Sequence, residues 1–329
     1  MEIAKALVLA GHGSDNPRCP AAPAGSSHLF PLANRPILFH DLDVLRAAGV
    51  REAAILTDGE PGRAIRQAVG DGGDWGISVS YAEWQSSRGI DGALAAAQSF
   101  IRDEPVLIKQ GGALMRERMQ THMSMFGREQ LDALALLFVE PPATSTESPA
   151  PGYLLSPRAV SILLDGRAAA NPVAGVRAHG GRARVQRVDG CLPCRGDLET
   201  LLESNRRLLE RLRPAMDGAL LDESSVQGVV DIHPSAKIQR SLLRGPLIIG
   251  PDAEVTDAYI GPYTSVGADA VIEGTEIEHS IVLPRAELRY VGTRLESSVI
   301  GYGARVMRGF GLPAALRISI GEGAEVVLR

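Results

Sequence analysis

The chain has 329 residues, 45% of them apolar, so it is long enough to bury a sizeable core and to form two domains. Its net charge of −5 argues against a general nucleic-acid-binding protein, which needs a basic surface to displace counterions from phosphates. We expect a cytoplasmic protein without a membrane partner, because no stretch resembles a signal peptide or membrane span and three cysteines make no disulfide framework.

The first half of the chain alternates strand-like and helix-like segments, which is the pattern of a parallel sheet covered by helices. Apolar runs predict strands over 6–10, 52–57, 77–83, 105–110 and 131–139. Helical spacing predicts helices over 36–48, 63–69, 92–101, 116–128, 158–164 and 197–212. The segment 141–151 has no periodicity and many helix breakers, so it is predicted to be a loop.

The second half contains an internal repeat of aliphatic residues. Within each of three sets the interval is 17 residues, and the sets are Ile232, Ile249 and Val266; Ile238, Val255 and Ile272; and Leu243, Ile260 and Ile277. One aliphatic residue in every five or six is the hexapeptide pattern of a parallel β-helix, in which each rung buries its apolar side against the next. The repeat loosens after Leu283 and returns at Ile300. We predict this domain over 229–329, after a polar linker over 217–228.

The stretch 7–36 resembles the signature of the sugar-1-phosphate nucleotidyltransferases. That signature begins LAGGxGTRL and ends RPKPLxPVANKP, and the residues that match its two ends are Leu9, Ala10 and Gly11, then Leu29, Pro31, Ala33, Asn34 and Pro36. Segment 152–157 is similar to the family's GVYLFSP strand, 197–212 to its EDLLEANRLLL helix, and 278–283 to an EHSIVL phrase. The order of parts resembles the long-form glucose-1-phosphate thymidylyltransferases. This resemblance implies an α/β fold, with a Rossmann-like nucleotidyltransferase domain over 1–218 followed by a left-handed parallel β-helix over 229–329.

The groups that carry the family's chemistry are replaced in this sequence. The resemblance implies a loop Arg and a PKP Lys that neutralise triphosphate charge, and their places fall near Asn16 and Ser27. It also implies two Asp residues that hold Mg²⁺, and their places are occupied by Gly112 and Cys194. The segment 141–151 is too short for the family's EKP pair, which holds the sugar phosphate. Because each lost electrostatic element is worth several kcal/mol, we expect the ordinary reaction to be abolished.

A nucleotide site is implied by two glycines that match the family pattern, Gly11 and Gly89. The place of the base-reading Gln holds Trp84, with Gln85 one position further on, so either residue is a candidate for contact with the base. Trp84 has the alternative of an ordinary place in the core.

A remaining activity would need another carboxylate. Asp197 lies three residues after the lost Asp and is the catalytic candidate if the protein is active, although Asp is also a preferred helix N-cap. Asp15 and Asp91 are further candidates in that case, and Mg²⁺ would be the cofactor. Otherwise we expect no cofactor.

The three cysteines, Cys19, Cys191 and Cys194, all map to the places where the family has its active site. Together with His12 or His28 they would make a Cys₃His set that suits zinc. The alternative is a group of ordinary small, buried thiols.

Three functions remain open from the sequence. The leading hypothesis is a catalytically degenerate homologue that acts as a regulatory or scaffolding subunit and binds a nucleotide or nucleotide sugar. The second is an active enzyme that forms a nucleotide sugar from a nucleoside triphosphate and a sugar 1-phosphate. The third is an acyltransferase carried by the β-helix with His233 or His279, each of which has a structural alternative. We expect the β-helix to bind a second copy or a protein partner, because apolar edges near 283–290 need covering.

Overall fold

The apolar segments of the first half form one seven-stranded sheet. The computed structural model describes residues 3–10, 27–57, 59, 61–85, 88–139, 150–165, 171–191, 198–216 and 220–309. The strands of this sheet are β1 (Lys5–Leu9), β4 (Glu52–Thr57), β5 (Ser78–Glu83), β6 (Val106–Gln110), β8 (Ala133–Phe138), β9 (Gly152–Leu155) and β10 (Ala183–Val188). Their order is β10-β8-β9-β6-β1-β4-β5, and neighbouring strands are parallel except where β9 pairs with β6 and β8.

Helices cover both faces of this sheet. They are α1 (Ile37–Ala47), α2 (Pro61–Val69), α3 (Gly89–Ala96), α4 (Gln98–Ile101), α5 (Met119–Arg128), α6 (Pro157–Leu164), α7 (Pro172–Ala178) and α8 (Leu198–Leu209). One face buries an apolar cluster that includes Leu42 and Phe126, and the other buries a cluster that includes Leu94 and Leu155. Every helix in the described ranges is too short or too polar to cross a bilayer.

Most elements predicted for the first half are present, but one predicted helix is divided and some elements were missed. The predicted helix over 92–101 is two helices, α3 and α4, which meet at Ala97. The pattern missed α7 and β10. Strand β10 lies at the edge of the sheet, half of its side chains are polar and only Val188 is buried, so it lacks the apolar run that identified the other strands.

The second half forms three parallel sheets of short strands. The first sheet contains β12 (Leu220–Asp222), β15 (Lys237–Gln239), β18 (Glu254–Thr256), β21 (Val271–Glu273), β24 (Glu287–Arg289) and β27 (Arg305–Met307). The second contains β13 (Ser225–Gln227), β16 (Leu242–Arg244), β19 (Tyr259–Ile260), β22 (Glu276–Glu278) and β25 (Leu295–Glu296). The third contains β14 (Val230–Ile232), β17 (Leu247–Ile249), β20 (Thr264–Val266), β23 (Ile281–Val282) and β26 (Val299–Ile300). This is a parallel β-helix, while its left-handedness stays a prediction.

The aliphatic repeat corresponds to the inside of this β-helix. Each set of residues predicted from the 17-residue interval forms one ladder of paired strands, as in Ile238↔Val255↔Ile272 of the first sheet. All nine residues of the three sets are at most 1% exposed. The prediction of a parallel β-helix is therefore confirmed, because a rung can bury its apolar side chains only against the rungs above and below it.

The looser repeat after Leu283 reflects rungs of different length. Ile272 pairs with Leu288 and Leu288 pairs with Val306, so the interval changes from 17 residues to 16 and then 18. The inward side chain is kept at each step, since Leu288 is fully buried. The sequence repeat therefore becomes irregular here, although the strand pairing of the β-helix continues without interruption.

The corners of the rungs use a left-handed backbone conformation. Positive φ angles recur at one corner of successive rungs, at Glu223, Arg240, Asp257, Gly274 and Tyr290. Asp257 and Gly274 tolerate this conformation well, whereas the rungs must hold Glu223, Arg240 and Tyr290 in it.

The β-helix begins earlier than the predicted boundary near Val229. Strands β12 and β13 lie within the predicted linker over 217–228, yet they pair in parallel with β15 and β16 as the first rung. This rung escaped the sequence pattern because its inward Leu221 is followed by polar residues and is itself 42% exposed at the open end of the ladder.

Candidate nucleotide site

The carboxyl ends of β1, β4 and β6 meet at one edge of the large sheet, at Leu9, Thr57 and Gln110. In open α/β sheets a ligand usually binds outside these ends. The segment between β6 and the short strand β7 (Leu114–Met115) therefore lies where a metal-binding carboxylate would be expected. It reads Gly111-Gly112-Ala113.

A buried ion pair holds this turn. The Lys109 ammonium, which is fully buried, donates to the Asp41 carboxylate of α1 and to the carbonyl of Ala113 at 2.7 Å. The second carboxylate oxygen of Asp41 accepts a hydrogen bond from the Gly112 N–H at 2.6 Å. Both charges and the two backbone groups are thus satisfied within the protein. The Asp41 carboxylate is therefore fully engaged, and it lies under the turn with only 1% exposure.

Gly111 allows a close approach between the turn and the signature segment. A Cβ atom at this position would lie 2.7 Å from the carbonyl oxygen of Leu9 and 3.0 Å from the ring of His28. His28 is buried in a 3₁₀ turn, Ser27–Leu29, and its ring therefore sits against the carboxyl ends of β1 and β6. The sequence suggested His28 only as a zinc ligand, so this packing role was missed.

Trp84 is packed mainly into the core, and only a small part of it lines a surface groove. It is 8% exposed, belongs to the apolar cluster that includes Leu94, and donates from its indole Nε1 to the carbonyl of Gly89 at 3.2 Å. Its ring holds the start of α3. This favours the core alternative for Trp84 over contact with a base.

Gln85 and Gly89 lie at the surface on either side of this contact. A groove of about 640 Å³ is lined by Glu83, Trp84, Gln85 and Arg88 together with Gly59 and small residues of α3. Gly89 has a φ of +60°, and in the described part of the chain no atom lies within 4 Å of the position of a Cβ there. The groove has the space and the polar groups for a ligand, and binding of a nucleotide by these residues stays a prediction.

Several predicted site residues lie outside the described residues. These are Gly11, His12, Asp15, Cys19, Cys194 and Asp197. Cys191 is described only by its backbone, in the strand β11 (Gly190–Cys191), which pairs with β7. In the ranges that the structure describes, no group of three or more His, Cys, Asp or Glu side chains could hold a metal ion. Asp91 lies in the first turn of α3 and is mostly exposed. The partial loss of solvent around its carboxyl group raises its pKa.

The two histidines considered for an acyltransferase have local structural contacts. His233 is exposed, and its Nδ1 lies 2.9 Å from the Ser235 hydroxyl in the same corner. His279 packs edge-on against the Tyr263 ring at 6.2 Å, and its Nε2 is buried without a hydrogen-bond partner among the described residues. A buried Nε2 cannot reach a substrate in a surface groove, so the acyltransferase hypothesis gains no support from His279.

The arginines of α8 are neutralised by carboxylates of the same helix. Arg206 and Arg207 each donate to Glu203 at 2.7 Å, and the hydrogen bond from Arg206 is the main reason that the pKa of Glu203 falls to about 2. A carboxyl whose pKa is lower in the folded state stabilises the protein above its unfolded pKa, near 4.5, and loses this effect as the pH falls toward 2.

We expect Glu203→Gln to lower the free energy of unfolding by about 1 kcal/mol at pH 6, a small value because the side chain is about a third exposed and screened by solvent. The difference between wild type and variant should shrink toward zero at pH 2, as measured by urea unfolding. A difference that stays constant across this range would contradict the proposed role of the Glu203 charge.

The known proteins to which this chain is similar are nucleotidyltransferases. Residues 5–147 match a family model described as nucleotidyl transferase. The chain is 28% identical to a glucose-1-phosphate thymidylyltransferase of Streptomyces antibioticus, with 99% of each chain covered, and 29% identical to one of Streptomyces griseus, with 97% of this chain and 98% of the relative covered. It is 25% identical to the low-salt glycan biosynthesis nucleotidyltransferase Agl11 of Haloferax volcanii, with 98% of this chain and all of the relative covered.

Among solved structures, a Bacillus anthracis protein assigned to the glucose-1-phosphate thymidylyltransferases, in complex with sucrose, aligns with a TM-score of 0.50. The identity is 16%, and the alignment covers 64% of this chain and 97% of that chain. At this identity the likeness concerns the fold alone.

Proposed function

We propose that this chain, which belongs to the nucleotidyl transferase family and is similar to glucose-1-phosphate thymidylyltransferases over its full length, does not catalyse nucleotidyl transfer. It acts as a regulatory or scaffolding subunit that binds a nucleotide or nucleotide sugar. The β-helix provides the surface for a second copy or for a protein partner.

The arrangement at the end of β6 carries this proposal. Nucleotidyl transfer needs a carboxylate that can hold Mg²⁺ beside the reacting phosphates, because charge accumulates on phosphate oxygens. Gly112 has no side chain to offer, and its N–H is bound to Asp41. Asp41 is in turn neutralised by Lys109. Bringing Asp41 to a metal would break a buried ion pair, which is strongly unfavourable.

Binding without catalysis is supported by the open groove beside Gly89. The groove keeps space for a ligand and polar groups from Gln85 and Arg88, whereas the groups replaced in the sequence are those that handle phosphate charge and metal. Each charge-assisted contact is worth about 1.5–3 kcal/mol, so their loss weakens binding of a triphosphate more than binding of a less charged ligand.

A turnover assay tests the absence of catalysis. The purified protein is incubated with glucose 1-phosphate, Mg²⁺ and each common nucleoside triphosphate, and pyrophosphate release is measured. Enzymes commonly turn over at about 10 s⁻¹, and each lost electrostatic element costs about 10²–10³ in kcat, so the loss of two metal carboxylates predicts a rate below about 10⁻³ s⁻¹. Turnover that disappears in Asp197→Ala would overturn this proposal in favour of an active enzyme.

Calorimetry with dTDP-glucose and with dTTP, both in the presence of a chelator, tests the binding half of the proposal. We expect metal-independent binding that is stronger for dTDP-glucose and is abolished in Gly89→Trp, whose ring would occupy the open space next to Arg88 at the edge of the groove. Gly49→Trp is the matched control, because Gly49 also has a positive φ of +87° and open space but follows α1 at the opposite edge of the sheet. Equal loss of binding in both variants, or no binding of either ligand, would contradict a nucleotide site beside Gly89.

The active-enzyme alternative rests on one observation, the similarity along nearly the whole chain to proteins named glucose-1-phosphate thymidylyltransferases. Under this alternative the chain forms a nucleotide sugar from a nucleoside triphosphate and a sugar 1-phosphate. The same turnover assay separates the two functions.

A further inference from the structure

A short hairpin connects the large sheet to the β-helix. Its strands are β2 (Pro31–Leu32) and β3 (Arg35–Pro36), and they are joined by Ala33 and Asn34. Both turn residues have positive φ angles, 46° and 60°, which is the conformation of a type I′ turn. An alanine rarely adopts this conformation, so the surroundings must hold it there.

The tip of this hairpin is hydrogen-bonded to α8 and to the β-helix. The Asn34 side chain donates to the carbonyl of Val266 in β20 at 2.7 Å. The Ala33 N–H donates to the side-chain oxygen of Asn205 in α8 at 2.8 Å. The side-chain nitrogen of Asn205 donates to the carbonyl of Tyr263 at 3.3 Å. Asn205 is fully buried, and it bridges the two domains through both ends of its amide.

Apolar side chains surround these hydrogen bonds. One cluster contains residues from the signature segment, from α8 and from the β-helix, namely Phe30, Leu32, Ile37, Leu201, Leu202, Ile281 and Leu283. Leu283 is 1% exposed, so the apolar edge that we expected to need a partner at this point is covered by the same chain, whereas Tyr290 remains 49% exposed. The hairpin and this cluster together are called the joint below.

The joint is in contact with the edge of the sheet where a ligand is expected. Phe30 of the joint follows His28, whose ring lies against Gly111 at the end of β6. Leu114, which follows the Gly111-Gly112-Ala113 turn, also packs against the joint. Two series of packed side chains, one through His28 and Phe30 and one through Leu114, therefore connect the carboxyl ends of β1 and β6 to the β-helix.

We propose that the joint is a coupling element, through which a change at the carboxyl ends of β1 and β6 alters the docking of the β-helix. By linkage, docking of a partner on the β-helix then alters the affinity of the cleft for its ligand by the same factor. This proposal rests on the proposed function in one respect. The joint would be the means by which a ligand bound in a non-catalytic cleft changes the binding of a partner to the β-helix. The proposal also gives Ala33 and Asn34, which match the RPKPLxPVANKP end of the family signature, a role that requires no contact with a nucleotide.

Hydrogen exchange of the full-length protein without ligand tests the coupling. In Gly111→Ala the new Cβ displaces His28 or Leu9, and we expect exchange in peptides that cover 263–283 to accelerate about five-fold or more, the lower end of typical coupling factors. Gly152→Ala is the matched control, because its Cβ would lie 2.8 Å from the carbonyl oxygen of Ile108 in the same sheet but away from the joint. It should leave these β-helix peptides within about two-fold of wild type, a difference too small to count as coupling.

Two further variants decide whether the joint carries the effect. Asn34→Gly keeps the turn conformation but removes the donor to Val266, and it should accelerate exchange in the same peptides without any strain in the sheet. In an Asn205→Ala background the joint is already released, so adding Gly111→Ala should cause no further acceleration. Equal effects of Gly111→Ala and Gly152→Ala, or a full additional effect of Gly111→Ala in the Asn205→Ala background, would overturn the coupling. Neither outcome depends on turnover or nucleotide binding, so failure here is distinct from failure of the proposed function.

Discussion

Replacing Lys109 with methionine is expected to lower the free energy of unfolding of the large-sheet domain by about 3–5 kcal/mol. The substitution leaves the Asp41 carboxylate buried without its counterion, and it removes the donor to the carbonyl of Ala113. Both groups are shielded from water, since Lys109 and Asp41 are at most 1% exposed. An uncompensated buried charge is among the most unfavourable changes that a single substitution can make.

The measurement uses fluorescence during urea unfolding. Both tryptophans of the chain, Trp75 and Trp84, are buried in the large-sheet domain, so their emission reports this domain rather than the β-helix. The double variant Lys109→Met with Asp41→Leu should recover part of the loss, because it removes both charges but leaves the Gly112 N–H and the Ala113 carbonyl without partners.

The control is a pair of similar chemistry at the surface. Lys237 contacts Glu254 at 2.9 Å, but both side chains are at least 50% exposed, so Lys237→Met should leave the free energy of unfolding close to that of the wild type. A loss below 1 kcal/mol for Lys109→Met would show that Asp41 finds another partner, and the turn at Gly112 would then be free to move.

Replacing Asn205 with leucine is expected to lower the free energy of unfolding by about 2–4 kcal/mol. Leucine has a similar volume but makes neither of the two hydrogen bonds, so the Ala33 N–H and the Tyr263 carbonyl lose their partners inside the joint. Each unsatisfied buried group costs about 1–3 kcal/mol. The loss falls on the contact between the domains, so we also expect the two domains to unfold in separate steps where the wild type unfolds in a more concerted way.

Two probes follow this separation, with tryptophan emission for the large sheet and far-ultraviolet circular dichroism for the whole chain. Asn34→Gly is the matched comparison, because it removes one hydrogen bond from a half-buried side chain and should cost about 1 kcal/mol. If Asn205→Leu is no more destabilised than Asn34→Gly, the bridging role of Asn205 is wrong.

Several features of this protein were determined by the sequence alone. The spacing of Ile238, Val255 and Ile272 predicted a parallel β-helix, because a side chain repeated once per rung can be buried only by its own repeats. Apolar runs in the first half predicted five of the seven strands of the large sheet, because the strands of a covered parallel sheet read as apolar runs. The absence of a side chain at Gly112 likewise required no structure, since glycine cannot bind a metal through a carboxylate.

Other features were decided by the tertiary structure. The Lys109–Asp41 pair joins residues 68 positions apart, and the hydrogen bonds of the joint connect residues 172 and 232 positions apart. Asp41 falls on the buried side of an otherwise ordinary amphipathic helix, and Asn205 falls among charged residues of α8, so neither carried a local signal. Periodicity in a sequence reports which side of a strand or helix is buried, because that depends on the element itself. It contains no information about which distant element covers that side, because such contacts depend on how the whole chain packs, and this is why the role of Ala33 and Asn34 in docking the β-helix became visible only in the structure.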